Sequence, residues 1–135
     1  MRTLLLGLLV LGSATRWAAH HLTAVTVTGD SMAPTYLDGD RVLVLRVPAD
    51  RLLVGDAVVL RLPTGTRDRP WLVKRIAALP GDPVPNTVVP SVGDSHVPAG
   101  RLVVLSDSPA GAIDSRVLGY VDAGAVLGRA ITRMG

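Results

Sequence analysis

Lysine is almost missing from this chain: of its fourteen basic residues thirteen are arginine, and the one lysine is Lys74. An arginine keeps its proton inside a protein, whereas a lysine deprived of water can become a neutral amine and act as a base. A lone lysine in a chain that otherwise uses arginine points to a chemical role. Cysteine is absent altogether, which excludes a disulfide framework, a thiolate nucleophile and a cysteine-based metal site, and leaves the redox compartment open. Aromatic residues are limited to two tryptophans and two tyrosines, so platforms for stacking nucleic-acid bases are poorly supplied. The net charge of +3 is spread as single arginines rather than runs, and no nucleic-acid partner is expected. The three histidines, His20, His21 and His96, lack the spacing of metal ligands, and the adjacent pair points to different sides of a helix or a strand. Neither a metal nor a cofactor is expected.

Apolar material, by contrast, is ample. With 135 residues and 48% hydrophobic content, the chain has room for one domain with a real core plus an appendage. The appendage is residues 1–20, where the one strongly lipophilic run, Leu4-Leu-Leu-Gly-Leu-Leu-Val-Leu-Gly-Ser-Ala14, follows Arg2. Its uninterrupted apolar part falls short of the roughly 20 residues that a bilayer span needs. With Arg16 snorkelling and Trp17 at the interface, residues 3–19 would still reach about 26 Å as a helix. The reading adopted is one N-terminal transmembrane helix. A cleaved secretory signal competes with it, because the short apolar region and the small residues Gly12, Ser13 and Ala14 suit one. Arg2 and Arg16 flank the run, so charge does not set its orientation.

Residues 21–135 change character, to short alternating runs separated by glycine, proline and aspartate, which predicts a mostly β domain. Strands are expected over 23–28, 41–46, 57–62, 71–79, 101–105 and 117–121. The segment 126–131 suits a short helix or a last strand. Residues 83–98 hold four prolines and read as an extended excursion outside the core.

On the 71–79 strand, alternation puts Lys74 on one face with Leu72, Ile76 and Ala78, and Arg75 on the other with Trp71, Val73 and Leu79. Aliphatic neighbours would desolvate the ammonium group. Each unit by which its pKa drops from the usual value near 10.4 costs the charged form about 1.4 kcal/mol, well within what burial can do. A neutral Lys74 could take a proton from a hydroxyl, and Ser31 offers one in the loop Gly29-Asp-Ser-Met-Ala-Pro-Thr35. Gly29 and Pro34 would fix the bend there and leave N–H groups near the hydroxyl to hold an oxyanion. Asp30 would favour the ammonium form if it turned inward, so it is expected to face solvent. Taken singly these features are ordinary: a Ser-x-x-Pro loop is commonly a turn, a strand lysine usually snorkels, and Asp114-Ser-Arg116 is usually a surface ion pair. Their joint order carries the argument.

That order resembles the type I signal peptidases, membrane-anchored serine proteases with a Ser/Lys dyad, over the stretch from about Val25 onward. The loop Gly29-Asp-Ser-Met-Ala-Pro-Thr35 is similar to the family's nucleophile box, which implies Ser31 as nucleophile and a substrate-site role for Met32. Val73-Lys-Arg-Ile-Ala-Ala-Leu-Pro-Gly-Asp82 is similar to its lysine box, which implies Lys74 as general base. Gly39-Asp-Arg-Val-Leu-Val44 and Gly55-Asp-Ala-Val-Val-Leu60 fit its strand openings. Val97-Pro-Ala-Gly-Arg-Leu-Val-Val-Leu-Ser-Asp-Ser108, with Asp114-Ser-Arg116 and Gly119, is similar to its last box. There Asp107, Ser108, Asp114, Ser115 and Arg116 would support the dyad, Asp114 and Arg116 pairing to brace the loop behind it.

The chain also departs from the pattern. Ser106-Asp107-Ser108 stands where the family usually has Gly-Asp-Asn, and Ala112 where many members carry a serine bonded to the lysine, which leaves Ser108 or Ser115 to compensate. Gly29 replaces an oxyanion serine found in some members, so the hole would rest on the Ser31 N–H. The stretch between the lysine box and the last box is too short for a large second domain.

The resemblance implies a minimal, mostly β catalytic domain held by one helix in the cytoplasmic membrane, with the catalytic part on the outer face. It would cleave signal peptides or propeptides of exported proteins through an acyl-enzyme, its partners being those segments and the lipid bilayer. Two alternatives remain open: a dedicated maturation protease for one protein, such as nickel superoxide dismutase, and an inactive β-domain that only binds peptides.

Overall fold

In a computed structural model, which describes residues 2–61, 71–108 and 112–135 and the first helix's side chains only from residue 11, the alternating runs become seven strands. They are β1 (Leu22–Thr26), β2 (Arg41–Leu45), β3 (Ala57–Leu60), β4 (Leu72–Ala78), β5 (Arg101–Leu105), β6 (Val121–Asp122) and β7 (Val126–Met134), with helices α1 (Arg2–His21), α2 (Val89–Val92) and α3 (Ser115–Leu118). All neighbouring strands are antiparallel, in the order β1-β2-β7-β3-β4-β5-β6. The mostly β reading is met. The expected 57–62 strand ends at Leu60, and its last residue lies outside the described residues.

The segment 126–131 resolves as a strand rather than a helix, and it runs through the middle of the sheet between β2 and β3. Its register skips a residue against each partner, between Leu43 and Val44 on one side and between Val59 and Leu60 on the other. Such bulges sharpen the twist of a sheet and let it curl. Strand β3 is buried on both faces, which explains its unbroken Ala-Val-Val-Leu sequence. Ala57 and Val59 join Val25, Val27, Met32, Val42, Val44 and Val73 in one apolar cluster, while Val58 and Leu60 join Leu52, Ile76, Leu102, Val104 and Val121 in another.

Three expectations are corrected. Residues 117–121 are not one strand: the Asp114 carboxylate accepts the Arg116 N–H and caps the single turn of α3, which Gly119 ends at φ +75° before β6 begins. Residues 83–98 are not outside the core, because Val84, Val88 and Val97, spaced between the prolines, are buried against Ala78 and Val103. Ala78 leaves the Lys74 face, since a register shift between Ile76 and Ala78 breaks the alternation of β4. The expected membrane span is not found either: no helix among the described residues is long and apolar enough to cross a membrane. The second half of α1 carries Ser13, Thr15, Arg16, His20 and His21, which lower its hydropathy.

Where β7 passes β2, the two backbones approach closely at Gly128, where a Cβ would fall on the carbonyl oxygen of Leu45. Gly128→Ala is expected to lower stability by about 2–3 kcal/mol, as overpacking does at a site with no room to relax. Urea denaturation checks this, and an alanine variant as stable as the parent would contradict the close approach.

Candidate active site

The loop between β1 and β2 is closed on itself by backbone and carboxylate hydrogen bonds. Val27 N–H donates to Asp40 O (2.7 Å), Gly39 N–H to Val27 O (2.9 Å) and Gly29 N–H to Asp38 Oδ1 (2.7 Å). Gly29 sits at φ +83°, a conformation that a side chain resists, and this turn delivers Asp30-Ser31 to the surface. Met32, only 1% exposed, points the other way into the first apolar cluster. The structure therefore places Met32 under the loop as its anchor, not at a substrate-facing surface. Asp30 and Pro34 are exposed.

Lys74, on β4, is 3% exposed and lies opposite Val58 of β3. Its Nζ is 2.9 Å from the Ser31 Oγ, so a residue 43 positions away in sequence meets the loop serine. Burial pushes the lysine pKa down from its ordinary value; Asp114 opposes that shift and Arg116 adds to it. Among the described residues, none accepts a hydrogen bond from the Ser31 N–H.

The segment after β5 closes the site from behind. Ser108 N–H donates to Ser31 O (2.9 Å), and the Asp107 carboxylate accepts from two of the three Arg75 guanidinium nitrogens, Nε and Nη2 (2.8 and 2.6 Å), and from the Thr35 hydroxyl (2.8 Å). The Arg75 bond holds the Asp107 carboxyl below the usual range against the opposing effect of burial, and Thr35 adds to it. Asp114 is fully buried, which by itself would raise its pKa, but the Arg116 guanidinium and the N–H groups of Ser106 and Arg116 hold it at about 2. Its Oδ2 accepts from Ser106 N–H and from Arg116 (2.8 Å each). Ser115 is buried, with its hydroxyl accepting the Val104 N–H (2.9 Å).

The structure thus brings together Ser31, Lys74, Asp107, Ser108, Asp114 and Arg116 around one point. Sequence reasoning missed Ser106, whose Oγ is 2.9 Å from Lys74 Nζ. Ser108 and Ser115, the candidates to compensate for Ala112, are not the hydroxyls that meet the lysine. The missed signal was the first residue of Ser106-Asp107-Ser108 itself, a hydroxyl where the resemblance leads one to expect glycine. Thr35 was missed as well. No group of three or more metal-ligating side chains lies together among the described residues.

In comparison with known proteins, the family model described as signal peptidase, peptidase S26, matches residues 1–88 and 85–134. No curated protein matches the chain.

Asp114 titrates lower in the folded chain than unfolded, so its contribution to stability is full above pH 4 and is lost as pH falls through about 2. At neutral pH the shift amounts to about 2 kcal/mol. Asp114→Asn should therefore cost about 2–4 kcal/mol at pH 7, by leaving Arg116 without its carboxylate, and clearly less at pH 2.5. Equal losses at both pH values in chemical denaturation would refute this.

Proposed function

Because the chain belongs to the signal peptidase family, peptidase S26, we propose that it is a serine endopeptidase that cuts signal peptides or propeptides of exported proteins with Ser31 and Lys74. The observation that carries this reading is the 2.9 Å approach of a buried lysine amine to the hydroxyl of a loop serine. In the neutral form the amine accepts the Ser31 proton while Oγ bonds to the scissile carbonyl carbon. The Ser31 N–H stabilises the resulting oxyanion. The Lys74 ammonium then gives its proton to the departing amine as the C–N bond breaks, which leaves an acyl ester on Ser31. Water hydrolyses that ester after passing a proton to Lys74, and the proton returns to Ser31 Oγ as the new carboxyl end leaves. Turnover rises with pH as Lys74 loses its proton, over a range that burial shifts below that of an ordinary lysine.

In this reading residues 1–20 attach the catalytic part, 21–135, to the cytoplasmic membrane, with Ser31 on the outer face. The apolar stretch from Leu4 to Leu11, broken only by Gly7, supports such attachment. The substrate lies extended, with small residues at the cut.

Cleavage of a signal-peptide substrate in detergent, with the product mass fixing the cut site, is the test. Ser31→Ala and Lys74→Arg should each lower turnover by about 1,000-fold or more with folding intact. The arginine keeps the charge and forbids neutrality. No cleavage above background by the unaltered chain would favour the peptide-binding module instead, and undiminished cleavage by either variant would rule out the dyad.

A further inference from the structure

Two hydroxyls, not one, lie 2.9 Å from the Lys74 nitrogen: Ser31 Oγ and Ser106 Oγ. A neutral amine has one lone pair and two N–H groups. If the lone pair is to receive the Ser31 proton, at least one N–H must be turned elsewhere, and at 3% exposure Lys74 has little access to water. Ser106 supplies the acceptor. We infer that Ser106 is a positioning residue for this chemistry, its hydroxyl oxygen holding one Lys74 N–H so that the amine's lone pair is aimed at Ser31. The inference rests on the Ser31/Lys74 reading above.

The way Ser106 is held supports the assignment. Its N–H donates to Oδ2 of the fully buried Asp114 (2.8 Å), and that carboxylate is gripped by Arg116 through Nε (2.9 Å) and a terminal nitrogen (2.8 Å). Two residues on, Ser108 N–H donates to Ser31 O. One short segment therefore fixes both members of the pair, the lysine through a side chain and the serine through the backbone. The oxygen of Ser106 can accept from the amine before proton transfer and from the ammonium after it, so the lysine need not rotate between steps. Among the described residues no other hydroxyl duplicates this: Ser115 is engaged with Val104 N–H, Ala112 has none, and the Lys74 amine bonds only Ser31 and Ser106.

The test exploits the single lysine, because a protein labelled with isotopic lysine shows one lysine side-chain resonance, that of Lys74. A hydroxyl oxygen bonds an ammonium more strongly than an amine. Ser106→Ala should therefore move the Lys74 titration to lower pH and at the same time reduce maximal kcat by about 10- to 100-fold. The charged groups that act on Lys74, Asp114 favouring the ammonium and Arg116 disfavouring it, are unchanged by the substitution. Ser106→Thr keeps the oxygen and should restore both titration and kcat. The inference is overturned if Ser106→Ala loses activity with the titration unmoved, which marks mere loosening. It is also overturned if the titration moves upward, which marks water entering the site, or if kcat is unchanged. Should Ser31→Ala cleave normally, the dyad reading fails, whereas the titration still reports whether the Ser106 contact exists.

Discussion

One amine, buried in an apolar sheet and without an ion pair to any carboxylate among the described residues, is the constraint on which the site depends. Lys74 could be neutralised in two opposite ways: by giving up its proton or by pairing with an acid. The surrounding acids are arranged against the second. Asp107 is occupied by Arg75 and Thr35, Asp114 by Arg116 and two backbone N–H groups, and Asp30 is exposed. Arg116 acts twice, by pairing with the Asp114 carboxylate, whose charge favours the ammonium, and by placing a second cation that disfavours Lys74 protonation. The abundance of arginine elsewhere in the chain fits this division, since an arginine can balance an acid and never become a competing base.

The fold serves that amine by bringing three distant segments to one point. Strand β4 presents Lys74, the β1–β2 loop presents Ser31, and the segment after β5 ties both down. Met32 sinks the loop into the same cluster that holds Val73, next to the lysine. The late strand β7 joins the β1–β2 ribbon to β3 and β4, and the close approach at Gly128 sets how tightly those halves meet. A displacement there would be felt at the Ser31–Lys74 distance, because catalytic geometry tolerates errors of well under an ångström.

Much of this was legible in the residues, for physical reasons that can be named. Short alternating runs bounded by glycine and proline identify strands because the strand period is two, and β5 was read to the residue. The pair Ser31 and Lys74 stood out through loop chemistry and the rarity of lysine. What was not legible depended on contacts between distant segments. The valines of 83–98 are buried only because Ala78 and Val103 lie opposite them, which no local pattern reveals. The single turn of α3 is imposed by a carboxylate cap within an otherwise strand-like run. Ser106 was read as a missing glycine, and its hydroxyl acquired meaning only once β5 had delivered it beside the lysine.

The most direct test of the account is the titration of Lys74 in the unaltered protein, followed through its own side-chain resonance. The expected midpoint lies clearly below the value near 10.4 of an exposed lysine, with the chain still folded. A midpoint at or above that value would show an ammonium stabilised rather than stripped of water, and would contradict the central claim.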